Sequence, residues 1–95
     1  MMIEKEIKVL NPHGLHARPA SIFVKIANRF VSDITVCKDN ESVNGKSIMG
    51  IMMLAANQGA VVKIQAKGAD AEEAMRELEA FLMKADETGA SEDFP

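Results

Sequence analysis

The stretch Asn11-Pro-His-Gly-Leu-His-Ala-Arg-Pro-Ala-Ser21 gathers both histidines of the chain into four residues and sets a guanidinium two positions beyond the second. An alternating, strand-like run precedes it and a helical period follows, so His16 is delivered to the first turn of a helix with Arg18 beside it. That first turn carries N–H groups without intrahelical acceptors and the positive end of the macrodipole, which together form a place for an anion. An imidazole at such an end is a nucleophile that can accept a phosphoryl group, hold it and hand it on. The phosphoryl oxygens would take N–H donors from Ala17 and Arg18. The dipole contributes only about 0.3–1 kcal/mol near a surface, a scale that suits a relay better than a trap. Taken without its neighbours, His16 would read as a polar residue filling a helix start. The small Ala17, the cationic Arg18 and the direction-fixing Pro19 shift that balance.

The flanking elements must position this stretch. Ile3–Leu10 alternates, with Ile3, Ile7 and Val9 on one side and Glu4, Glu6 and Lys8 on the other, the pattern of a half-buried strand. Pro12 and Gly14 break it. From Ala17 the period becomes helical: Ala20, Phe23, Val24, Ala27 and Phe30 form a stripe widened by Ile22 and Ile26, with Arg18, Ser21, Lys25 and Asn28 opposite. Pro19 falls in the first turn, where its missing N–H costs nothing. Ile34–Lys38 and Glu41–Asn44 read as two strands joined at Asp39-Asn40. Ser47 is an N-cap for a short helix over Ile48–Ala56, and Val61–Ala66 is a fourth strand. Asp70 with Glu73 has the form of an acidic capping box. It opens a helix over Ala71–Ala85 that buries Ala74, Leu78, Phe81, Leu82 and Ala85. The order βαββαβα predicts an α+β fold, with three helices on one face of a four-stranded antiparallel sheet. Residues 1–87 form one domain, and residues 88–95 have no period and read as a flexible tail.

Composition narrows the function classes. Ninety-five residues with 47% hydrophobic and 26% charged content describe one ordinary globular domain. A net charge of −3 speaks against nucleic acid, and four Phe with no Trp or Tyr leave no base-stacking platform. The lone Cys37 cannot form an internal disulfide and fits a reducing, cytoplasmic compartment; it reads as a small apolar strand residue. The longest apolar run, Ile48–Ala56, is too short to cross a bilayer.

Two separated motifs, Gly14-Leu15-His16-Ala17-Arg18-Pro19-Ala20 and Val43-Asn44-Gly45-Lys46-Ser47-Ile48-Met49-Gly50, make the sequence similar to the histidine-containing phosphocarrier (HPr) family of the bacterial phosphoenolpyruvate-dependent phosphotransferase system. The resemblance runs from Met2 to about Ala85, and the element order agrees with that family's open-faced β-sandwich. It implies that His16 is phosphorylated on Nδ1 by enzyme I and passes the group to sugar-specific enzyme IIA proteins, with Arg18 as the assisting cation. It also implies that Ser47 is the serine modified by an ATP-dependent HPr kinase/phosphorylase in many bacteria, with a transcription regulator as a further partner. A phosphoserine adds about −1.5 to −2 charge. Each unit-charge pair about 10 Å apart costs about 0.4 to 1.7 kcal/mol, enough to slow docking to an acidic partner.

The Ile48–Ala56 helix is apolar on every side, more than a small surface-layer helix can bury. Ile51 and Leu54 are expected inside. Ile48, Met49 and Met52 are expected partly exposed as a docking surface, which the family resemblance favours, with Ser21 and Lys25 flanking from the first helix. A Met-rich core is the competing reading for each apolar residue. His13 departs from the smaller or amide residue usual in the family. His13 and His16 at i, i+3 lack a third ligand, so no metal is expected, and no cofactor is called for. The Asp70–Glu79 cluster reads as a solvated helix face paired in part with Arg76. The expectation is a monomeric phosphocarrier rather than an enzyme with turnover. The alternatives are a nitrogen-branch carrier and a regulatory module acting through Ser47. A hydrolase built on His16 would lack a second acid–base group and a deep pocket.

Overall fold

In the computed structural model, which describes residues 1–84, the chain runs β1 (Met2–Lys8), α1 (Ala17–Ala27), β2 (Asp33–Lys38), β3 (Glu41–Asn44), α2 (Ile48–Met53), β4 (Val61–Lys67) and α3 (Ala71–Leu82). The sheet order is β1-β4-β2-β3 and every pairing is antiparallel. Alternation decides which way each strand faces. Ile7, Ile34, Val36, Val62, Ile64 and Ala66 are buried beneath the helices. Glu4, Glu6, Thr35, Cys37, Lys63 and Gln65 occupy the alternate register positions, on the opposite, open face. The three helices therefore share one face, the α+β open-faced arrangement expected. The expected tail at 88–95 and the expected burial of Ala85 lie outside the described residues.

Several local expectations shift. In α1 the buried residues are Ala20, Ile22, Phe23, Ile26 and Ala27, while Val24 and Phe30 are only half-buried. The stripe is centred one column round from the expected one, and the helix ends at Ala27, before Phe30 can join it. The second helix is shorter than the apolar run: Leu54 caps it, and Ala55 turns to a left-handed φ of 52°. At α3, Asp70 occupies the N-cap without making the capping hydrogen bond. Its carboxylate instead reaches across to accept from the backbone N–H groups of Val31 and Ser32 and from the Ser32 hydroxyl. Among the described residues, the acidic helix face pairs with Lys5, through Glu79 at 2.8 Å, and with Arg29, through Glu77 at 3.2 Å, rather than with Arg76. No helix among the described residues is long and apolar enough to cross a membrane.

Candidate functional site

The segment between β1 and α1 is tied down from both sides. The backbone N–H groups of Val9 and Leu10 donate to Ala60 and Leu82, and the Gly14 N–H closes a turn onto Asn11. The Asn11 side chain is fully buried; its Oδ1 accepts from the His13 backbone, and its Nδ2 meets no acceptor among the described residues. Leu15 is fully buried, and its N–H donates to the Ala56 carbonyl at 2.8 Å. Gly14 takes a left-handed φ of 63°, and any Cβ there would meet the Ala56 carbonyl oxygen at 2.5 Å. The loop that carries His16 is thus pressed backbone to backbone against the loop that follows α2.

With Leu15 anchored, His16 emerges as the N-cap of α1, in extended backbone with φ −114° and ψ 151°. Its side chain is half-buried and makes no capping bond of its own. Instead Nε2 lies 2.7 Å from Oδ1 of Asn57, an exposed residue on the facing loop. An amide oxygen can only accept, so this contact puts the ring proton on Nε2 and leaves the lone pair on Nδ1. Ala17, immediately after, adopts a left-handed φ of 45°, uncommon for a residue with a Cβ and typical of functional turns. Arg18 follows in the first turn, exposed, and Pro19 lies inside that turn as expected. The arrangement puts a nucleophilic ring nitrogen on the residue that opens α1, next to the first-turn N–H groups, with a guanidinium two residues on. Two hollows of about 460 Å³ open elsewhere, one along β2 and β3 and one between β1 and α3, and His16 lines neither.

The remaining expected residues fall on two neighbouring helices. Ser47 is the N-cap of α2, its Oγ accepting from the Gly50 N–H at 3.1 Å. On α2, Ile51 and Leu54 are buried as expected, while Ile48, Met49 and Met52 are 42%, 70% and 44% exposed, which decides against the core reading for all three. Met53, not singled out from the sequence, is exposed as well. Ser21 is half-buried and Lys25 exposed on α1, which packs against α2. His13 is exposed, and no group of three His, Cys, Asp or Glu side chains able to hold a metal occurs among the described residues. Cys37 sits on the open face with its Sγ 3.2 Å from the Ser42 hydroxyl. No local pattern in the sequence marks Asn57, because forty-one positions separate it from His16.

Known proteins resemble this chain along the same length. The PTS-HPr family, described as "PTS HPr component phosphorylation site", matches residues 3–84. The HPr-like protein Crh of Halalkalibacterium halodurans is 48% identical over 83 residues, covering 87% of this chain and 99% of its own. The phosphocarrier protein HPr of Neisseria meningitidis serogroup A is 48% identical over 77 residues, covering 81% of this chain and 86% of its own. Among solved structures, a phosphocarrier protein HPr from Bacillus anthracis aligns with a TM-score of 0.84 at 49% identity, covering 85% of this chain and 96% of that one.

Proposed function

The chain belongs to the HPr family of the phosphotransferase system, a family of phosphocarriers rather than enzymes, and we propose that it takes phosphate from enzyme I onto Nδ1 of His16 and passes it to enzyme IIA proteins of sugar uptake. The observation that carries this reading is the hydrogen bond from His16 Nε2 to Asn57, which leaves Nδ1 with its lone pair at the start of α1. Arg18, two residues on, supplies the cation, and the backbone N–H groups of Ala17 and Arg18 receive the phosphoryl oxygens. No cofactor or metal enters, because the donor already carries an activated phosphoryl group.

Docking is assigned to the exposed face of α2, Ile48, Met49 and Met52, with Ser21 and Lys25 beside it on α1. Methionine adapts to several partner surfaces, which a carrier that must meet both a donor and its acceptors requires. The protein works as a cytoplasmic monomer, so that His16 and this face are free for each partner in turn. Ser47 is the regulatory site for a serine kinase: its hydroxyl already stands at a helix N-terminus, where added negative charge is tolerated.

A second reading draws on the similarity to Crh, at 48% identity as high as that to HPr. A regulatory module would act through phosphorylated Ser47 on a transcription regulator. Relatives confined to that role lack the histidine, and this chain has it, so the role is additional. A nitrogen-branch carrier would use the same chemistry at His16 and is separated by gene neighbourhood.

The test is incubation with enzyme I and phosphoenolpyruvate. One acid-labile phosphoryl group is expected on the native chain and none on His16→Ala; labelling that survives the substitution would refute the assignment.

A further inference from the structure

Asn57 is brought to His16 by a backbone clamp, not by its own packing. The Leu15 N–H on the Ala56 carbonyl, and the close approach of Gly14 to Ala56 and Asn57, fix the two loops against each other. Asn57 then extends an exposed amide to the ring edge, 2.7 Å from Nε2. Its own carbonyl accepts the Ala60 N–H, which sets the direction of the loop without the side chain. Among the described residues, the histidine is the hydrogen-bond partner of that side chain.

We infer that Asn57 is a positioning residue for phosphoryl transfer: it holds the His16 ring with the proton on Nε2, so that Nδ1 is the attacking nitrogen, and it favours the loaded ring over the empty one. The inference rests on His16 being the phosphoryl acceptor. In the transfer, the Nδ1 lone pair forms a bond to phosphorus as the phosphorylated donor protein's bond to phosphorus breaks, and that electron pair returns to the donor. No proton moves at Nε2. The ring gains positive charge, so the Nε2–H becomes a charge-assisted donor to Asn57, and such bonds are about twice as strong as neutral ones. An interaction that strengthens as the phosphoryl group arrives accelerates loading rather than merely tightening binding. The same bond opposes rotation of the ring, which would carry Nδ1 away from the first-turn N–H groups.

The experiment compares the native chain with Asn57→Ala, Asn57→Asp and His16→Ala. The initial rate of phosphorylation by enzyme I and phosphoenolpyruvate is read beside the ¹H and ¹⁵N signals of the His16 ring. Asn57→Ala should load roughly three- to tenfold more slowly, the loss of one hydrogen bond, with an unchanged melting temperature. Its Nε2–H signal should broaden into exchange with water. Asn57→Asp retains an acceptor and should restore that signal, a response that a purely structural role would not give. Loading of Asn57→Ala at the native rate, or a proton found on Nδ1 of the empty native ring, would overturn the inference while leaving His16 as acceptor. A native chain that takes no phosphate, or His16→Ala that does, would overturn the underlying reading instead.

Discussion

Gly14 and Ala56 meet backbone to backbone: a Cβ on Gly14 would stand 2.5 Å from the Ala56 carbonyl oxygen, and the next residue donates its N–H to that same oxygen. This contact holds the histidine loop in place, and it leaves no space for a side chain. Gly14→Ala combines a left-handed φ with a clash against backbone, and should cost about 2–4 kcal/mol. Thermal or urea unfolding checks the loss, and phosphorylation should fall even below the melting temperature because His16 and Asn57 drift apart. Native-like stability in the variant would show that the loops are not clamped.

Asp70 makes folding sensitive to acid. Its carboxyl is held below the ordinary 3.8, first by the Ser32 hydroxyl, then by the N–H groups of Val31 and Ser32. Because the folded value lies below the unfolded one, the stabilisation is present above the unfolded value and is lost as pH falls through the folded one. Asp70→Asn should therefore melt below the native chain near pH 7, and the gap should close at pH values under 3.8. Melting curves recorded across that range check it; a gap independent of pH would contradict the account.

At Ser47, capping and charge can be separated. Ser47→Ala removes the bond to Gly50 and should cost about 1 kcal/mol of stability. Ser47→Asp keeps a capping oxygen and adds a charge, so it should stay folded. Its phosphorylation by enzyme I should slow by about two- to twentyfold, if the added charge faces an acidic partner roughly 10 Å away. The deficit should shrink as salt is added. Steady-state rates at low and high ionic strength, read beside melting curves, distinguish the two effects.

Met49 is 70% exposed on α2. Met49→Glu should leave the melting temperature within about a degree, in line with the small effect of surface substitutions. It should weaken transfer to an enzyme IIA protein by about tenfold or more, the loss expected for an apolar contact inside a docking surface. Unaltered transfer kinetics would remove Met49 from the interface.

Periodicity carried most of this architecture because its signals are local. The alternation of Ile34 and Val36 with Thr35 and Cys37, and the Ser47 cap, depend only on near neighbours. Where two distant segments compete for one group, the sequence is silent. Asp70 looks like a helix cap, yet its carboxylate is taken by Val31 and Ser32 on the loop before β2. Val24 fits a helical stripe as well as Ile26 does, and only the position of the sheet decides that Ile26 goes under. The site divides the same way: His16, Arg18 and Pro19 are contiguous and legible, whereas Asn57 becomes visible only once the β1–α1 loop is laid against the loop after α2.

The central claim is that phosphate is carried on Nδ1 of His16, and ³¹P–¹⁵N correlation on the chain phosphorylated by enzyme I tests it most directly. The account predicts phosphorus coupled to Nδ1, with Nε2 still bearing its proton. Phosphorus on Nε2, or on any other residue, would contradict it.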